Sequence, residues 1–264
     1  MQIPITARIS FLWVEHGTLE VDGHAVVIQG GEDGQVHLPV GATTALLMQP
    51  GTTITHAAVK ACAESGCLLL WVGEAGVRCY AVGDPGRNAA ALLRQAAIAL
   101  DQPRRLAAAR VLFRRMFNED PPATRSVEQL RGMEGARVRQ LYADISRREG
   151  VVWVGRDART ATDPVNRAIS FANAALYGLV EAVVIALGYA PSIGITHTGD
   201  PRSFVFDIAD CVKFQHVTPL AMRLAKESPE DIEGRARRAC RDMFRETRMA
   251  ECIVETIEDV LQHG

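Results

Sequence analysis

The chain has 264 residues, 48% hydrophobic and 23% charged, with 29 Lys+Arg against 31 Asp+Glu. This composition excludes a disordered chain and supplies apolar material for one large or two modest domains. A formal net charge of −2 argues at first against a nucleic-acid binder. The total hides an uneven distribution: residues 1–86 are net −5, residues 87–148 net +7 and residues 149–264 net −4. Only Lys60, Lys213 and Lys226 are lysines, so the other 26 cations are arginines.

No apolar run reaches the roughly 18 residues of a membrane span. The longest, near Leu68–Gly73 and Val183–Ala190, suit a buried strand and a buried helix. The start, MQIPITARIS, lacks the basic then apolar pattern of a secretory signal. Cys62, Cys67, Cys79, Cys211, Cys240 and Cys252 form no CxxC pair and sit in apolar surroundings, as free thiols of a reducing cytoplasm do.

The first 82 residues read mainly as strands: Arg8–Glu15, Thr18–Val21, Ala25–Gln29, Val36–Pro39, Ala45–Gln49, Leu68–Val72 and Val77–Val82. Gly-containing turn signals at 16–17, 22–23 and 30–34 separate the first of these. One helix interrupts them over about Thr55–Glu64, with Thr53 or Thr55 as N-cap and Gly66 near the C-cap. Gly83-Asp84-Pro85-Gly86 breaks the pattern, and helical spacing follows. Helical segments cover Asn88–Asn118 with a break or kink at Pro103, then Val127–Arg148 and Pro164–Leu187. Ser126 and Gln129 form a capping-box signature ahead of the second of these. A last set covers Ser203–Lys226, Pro229–Glu246 and Met249–Gln262. The expected fold class is α+β: a small N-terminal β-rich domain (1–83), readable as two packed sheets, then a larger all-helical domain (84–264).

No phosphate-binding loop, dinucleotide fingerprint, HExxH motif or nucleophile elbow is present. A smaller constellation carries chemistry. His197 lies in a loop punctuated by Gly and Pro, and Asp207 and Asp210 follow at i, i+3 in an otherwise apolar helix. Carboxylates in such a stretch need a metal or an arginine, because an unpaired buried charge is very costly. Glu134 sits between Gly132 and Gly135 in a helix, where each glycine costs about 1 kcal/mol; close approach of another backbone or of a ligand would explain them. Each residue also has an ordinary reading: a surface ion pair for Glu134, a loop donor for His197, a first helical turn for the aspartates. One imidazole with carboxylates is a donor set suited to Mn²⁺ or Mg²⁺, and the basic segment around Glu134 suits phosphate.

Long runs of the chain resemble one family. Ser126–Arg137, Gly188–Gly194, His197-Thr-Gly199, Ser203–Asp210 and Arg238–Phe244, with Leu38–Gly41, His56–Val59 and Trp71–Arg78, are similar to the CRISPR adaptation integrase, or "Cas-one", family in its type I-E branch. The resemblance implies a metal-dependent DNA endonuclease and integrase. Such an enzyme inserts short captured duplex DNA (spacers) into a CRISPR repeat array by transesterification. It implies a homodimer, a higher complex with a small "Cas-two" partner dimer, double-stranded DNA as substrate, a prokaryotic cytoplasmic setting and no membrane. By position, Glu134, His197 and Asp210 are the implied catalytic metal ligands, for Mg²⁺ or Mn²⁺, with Asp207 as a supporting carboxylate. Lys213, Arg78, Arg237 and Arg241 are implied DNA contacts. His16 stands where the branch places a base-stacking tyrosine, and the link between Arg156 and Asn166 is shorter than the branch pattern. The arginines of 87–148 and 235–248 are expected to grip the DNA backbone. The alternative is a non-catalytic DNA-binding scaffold subunit of the adaptation complex.

Overall fold

The computed structural model describes residues 9–31, 34–73, 79–83, 89–157 and 163–264. The N-terminal strands are β1 (Ile9–Val14), β2 (Gly17–Asp22), β3 (Ala25–Gly31), β4 (Gly34–Leu38), β5 (Thr43–Met48), β6 (Thr52–Ile54), β7 (Leu68–Val72) and β8 (Cys79–Gly83), with helix α1 (His56–Ser65) before β7. They form two four-stranded sheets, ordered β1-β5-β7-β8 and β4-β3-β2-β6. Strand β6 is short and was not legible; it adds parallel to the edge of β2 through Gly17↔Thr52 to Leu19↔Ile54. Gly17 is required there: at φ 111° a Cβ would lie 2.5 Å from the Gln29 carbonyl oxygen.

Alternation of side chains assembles the layers. Strand β5, TTALLM, is buried at every position, as a central strand flanked by parallel neighbours requires. Its Leu46 and Met48 face the second sheet and α1, joining Leu19, Val26, Ala58 and Cys62. Its Ala45 and Leu47 face the opposite way, against Ala182 and Ala186 of the helical part.

The helical part comprises α2 (Ala90–Leu100), α3 (Gln102–Phe117), α4 (Val127–Glu149), α5 (Pro164–Ala186), α6 (Ser203–Val212), α7 (Thr218–Glu227), α8 (Ile232–Glu246) and α9 (Met249–His263). The mixed α/β arrangement, β-rich first and helical afterwards, follows the expected class. The break expected at Pro103 falls two residues earlier, at Asp101, whose side chain accepts from the Arg104 amide, and Pro103 sits in the first turn of α3. The capping box is formed in both directions: Ser126 Oγ accepts from Gln129 N at 3.3 Å, and Gln129 Oε1 accepts from Ser126 N at 3.1 Å. Helix α5 is long and apolar enough to cross a membrane, yet 67% of its most apolar window is buried inside the protein, where it serves as the central core helix.

One expected helix is divided. Ser203–Lys226 becomes α6, a π-helical turn over Lys213–Val217, and α7. Pro219 explains this: it cannot donate to the Gln215 carbonyl and its ring crowds that group, so the wider turn takes up the mismatch. All six cysteines are free.

Ser126→Ala removes one half of the capping box. It is expected to cost about 1 kcal/mol of stability, read as a lower urea midpoint at unchanged slope; an unshifted midpoint would contradict the cap's contribution.

Candidate metal centre

Three elements converge on one point. Helix α4 carries Glu134, the loop between α5 and α6 carries His197, and α6 carries Asp207 and Asp210. One ligand atom from each of Glu134, His197 and Asp210 lies within 4.8 Å of the other two. The i, i+3 spacing puts Asp207 and Asp210 on adjacent parts of one face of α6, but they serve different neighbours.

Asp207 is 1% exposed and organises the loop. Its carboxylate accepts from the backbone amides of Ile195 at 2.5 Å, Thr196 at 3.2 Å and His197 at 3.0 Å, from the Thr196 hydroxyl, and from His197 Nδ1 at 2.8 Å. With Nδ1–H donated to Asp207, the ring presents Nε2 as its free lone pair, the arrangement in which a carboxylate orients a metal-binding histidine. Gly194 makes the approach possible: a Cβ there would lie 2.2 Å from the His197 carbonyl oxygen and 3.1 Å from Asp207 Oδ2. Arg105, on α3, holds the loop through the Ile195 carbonyl at 2.7 Å.

Burial in a crevice walled by Leu112, Phe113 and Leu130 pushes the Glu134 carboxyl above its usual value, and neighbouring Asp210 adds to the rise. Burial pulls the His197 ring down, but the hydrogen bond and charge of Asp207, with Asp210 and Glu134, outweigh it and hold the ring above the ordinary histidine value. Asp210 is 7% exposed and accepts from Lys213 Nζ at 2.5 Å. Lys213, the first residue of the π-helical turn, is also 7% exposed; burial opposes its charge, yet Asp210 holds it protonated above the usual lysine range. Carboxylates crowded beside one imidazole, with the Glu134 carboxyl pushed up by burial and by its neighbour Asp210, are a fit for a divalent cation, which would relieve the repulsion.

His197 and Asp210 border a cavity of about 530 Å³ lined also by Arg156, Asn173, Tyr177, Arg202 and Lys213, among others. Arg156 and Arg202 carried no signal in the sequence beyond nearness to the expected motifs. Arg156 is committed to Asn166 Oδ1 at 2.9 Å and Ser170 Oγ at 3.0 Å. The other expected DNA contacts lie elsewhere. Arg237 pairs with Glu233 at 3.2 Å. Arg241 pairs with Asp242 at 2.9 Å and reaches Glu15 at 3.9 Å. His16 is exposed in the bend between β1 and β2. Arg78 and residues 158–162 of the short link lie outside the described residues.

Several of the arginines expected at phosphate make contacts within the chain. Arg94 donates to the Leu261 carbonyl at 2.8 Å and Arg104 to the Gly264 carbonyl at 2.8 Å. Arg115 pairs with Asp259 and Arg245 with Glu15. Among the described residues no neighbouring backbone packs on the glycines beside Glu134: a Cβ at Gly132 would meet nothing within 4 Å, and one at Gly135 only Arg139 Nη1 at 3.9 Å. That side of α4 is open space, available to a ligand.

The fold and site together define a mixed α/β protein with a Glu/His/Asp donor cluster at the heart of its helical part. The chain belongs to the Cas1 family: the family model "CRISPR associated protein Cas1" matches residues 11–119 and 115–241. It is 48% identical to the CRISPR-associated endonuclease Cas1 of Geobacter sulfurreducens over 99% of this chain and 87% of that protein. It is 45% identical to the CRISPR-associated endonuclease Cas1 of Escherichia coli K12, over 99% and 88%. Among solved structures, the TtCas1–DNA complex superposes with a TM-score of 0.87 at 40% identity, covering 96% of this chain and 97% of that one.

Metal binding requires Glu134 ionised and His197 neutral, and both groups hold their protons to higher pH than usual. Affinity for Mn²⁺ is therefore expected to rise with pH across about 6 to 8, with proton release on binding; calorimetry in two buffers of different ionisation enthalpy checks this. Gly194→Ala is expected to displace the His197 loop and lower Mn²⁺ affinity by at least about tenfold, measured by the same titration.

Proposed function

We propose that this chain is a divalent-metal-dependent DNA endonuclease and integrase of CRISPR adaptation, of the type I-E branch, acting in the prokaryotic cytoplasm. Its parts are a β-rich domain at 1–83 and a helical catalytic domain at 84–264. The observation that carries the reading is the convergence of Glu134, His197 and Asp210 beside a cavity bearing Arg156, Arg202 and Lys213. The names of the endonuclease relatives and of the DNA-bound structural neighbour support it.

Glu134, His197 and Asp210 would hold Mg²⁺ or Mn²⁺, which when bound stabilises charge on phosphoryl oxygens and polarises an oxygen nucleophile or leaving group. Asp207 keeps the His197 ring fixed through Nδ1. Lys213 offsets one negative charge at Asp210, so two acidic ligands coexist in a part-buried site. The cationic cavity wall receives phosphodiester. In the integration reaction, a 3′-hydroxyl oxygen of captured DNA forms a bond to a repeat phosphorus. The bond from that phosphorus to the repeat strand's own 3′-oxygen breaks, and the departing oxygen takes up a proton. One phosphodiester replaces another, so no nucleotide hydrolysis is needed. A homodimer joined to a small "Cas-two" partner dimer completes the proposed assembly.

Glu134→Gln tests the proposal, because Glu134 makes no hydrogen bond within the described residues whose loss would unfold the chain. With supercoiled repeat DNA, Mn²⁺ or Mg²⁺ and the partner protein, strand transfer is expected to fall by about 100-fold or more while DNA affinity stays within about twofold. Integration at the normal rate would overturn the assignment, and a wild-type protein that binds DNA without cutting or joining it would favour the scaffold role instead.

A further inference from the structure

We infer that Arg202 is a substrate-binding residue that grips a phosphate of the DNA strand entering the metal-bordered cavity. The inference rests on the proposed function for the identity of its ligand, and on the following geometry for the site.

Arg202 immediately precedes α6, five residues after His197 and eight before Asp210. Its guanidinium lies over the ring of Phe206, 5.2 Å from the centroid. Phe206 in turn packs edge-on against the His197 ring at 5.9 Å and against Tyr177 at 5.1 Å. The shelf that supports the cation is thus in contact with a proposed ligand of the metal. Phe206 gives the guanidinium a fixed plane without consuming any of its five donors.

Those donors are uncommitted. No hydrogen bond or ion pair reaches the Arg202 side chain within the described residues, and the nearby Asp200 carboxylate turns instead to the Arg202 backbone amide, at 2.8 Å. This sets Arg202 apart from Arg156 and Lys213 in the same cavity, which are bound to Asn166 and Ser170, and to Asp210. Asn173, 5% exposed, is a further polar residue lining the same cavity.

Losing a grip made equally in ground and transition states raises the substrate concentration needed without changing the saturated rate. The test uses the full chain, a forked DNA with a single-stranded 3′ end, and two readouts: binding in EDTA across a salt series, and single-turnover cleavage with Mn²⁺. Arg202→Ala is expected to raise the half-saturating DNA concentration about tenfold, leave the saturated rate within about twofold, and reduce the salt slope of binding by about 0.7. Arg202→Lys, which keeps the charge but loses the planar fork, is expected to recover part of the loss. Unchanged half-saturation and salt slope in Arg202→Ala would overturn the inference while leaving the proposed function standing. A wild-type protein with no metal-dependent cleavage or joining would overturn the proposed function, and the EDTA binding series would still decide whether Arg202 holds phosphate. A drop in thermal midpoint in both variants with no recovery by lysine would assign Arg202 a structural role and also overturn the inference.

Discussion

The site depends on a single buried carboxylate. Asp207 is almost fully enclosed, and an enclosed carboxylate without partners would cost several kcal/mol or more. It is satisfied by three consecutive backbone amides, one hydroxyl and one imidazole N–H. Because those amides belong to 195–197, satisfying the charge and folding the loop are the same event. The loop cannot relax without leaving the charge unpaired, and so the His197 ring is held in one tautomer and one direction. Gly194 and Arg105 complete the clamp, one by leaving room and the other by taking the Ile195 carbonyl.

Around this fixed point the electrostatics are deliberately unbalanced. Glu134 and Asp210 repel each other across a short gap, with Glu134 backed by apolar side chains. Lys213 compensates only one of them. The remaining negative potential suits a divalent cation, and the cavity next to it bears cations suited to phosphate. Two regions of opposite potential side by side would suit the proposed metal-assisted phosphoryl transfer. The π-helical turn contributes directly, since Lys213 stands at its first position, one turn past Asp210.

The arginine surplus of 87–148 proved to be a mixed signal. Several of its members close carbonyls at the C-terminal end or pair with acids of α9, binding the sequence-distant helices into one bundle. Arginine is suited to this because its planar fork can satisfy several carbonyl oxygens. Charge counting along the chain cannot distinguish an arginine that holds a carbonyl from one that awaits a phosphate. Both are surface-reaching side chains on the polar faces of amphipathic helices.

Local chemistry made much of the architecture legible. Turn glycines and β-branched runs marked the strands, Ser126 and Gln129 marked the start of α4, and Pro103 with Asp101 separated α2 from α3. These features act within a few residues, so the sequence determines them directly. The division of 203–227 depended on how one proline met the carbonyl four residues earlier, and the short β6 existed only because β2 offered it an edge. The candidate ligands were legible by residue type and by resemblance, yet nothing in their spacing brought Glu134 on α4 to the 197 loop and α6. Only the tertiary structure decided that convergence, the anchoring role of Asp207 and the uncommitted state of Arg202. The reason is physical: distances between residues some sixty positions apart are set by which faces the helices bury, and hydrogen-bond partners are set by what remains unsatisfied once those faces have packed.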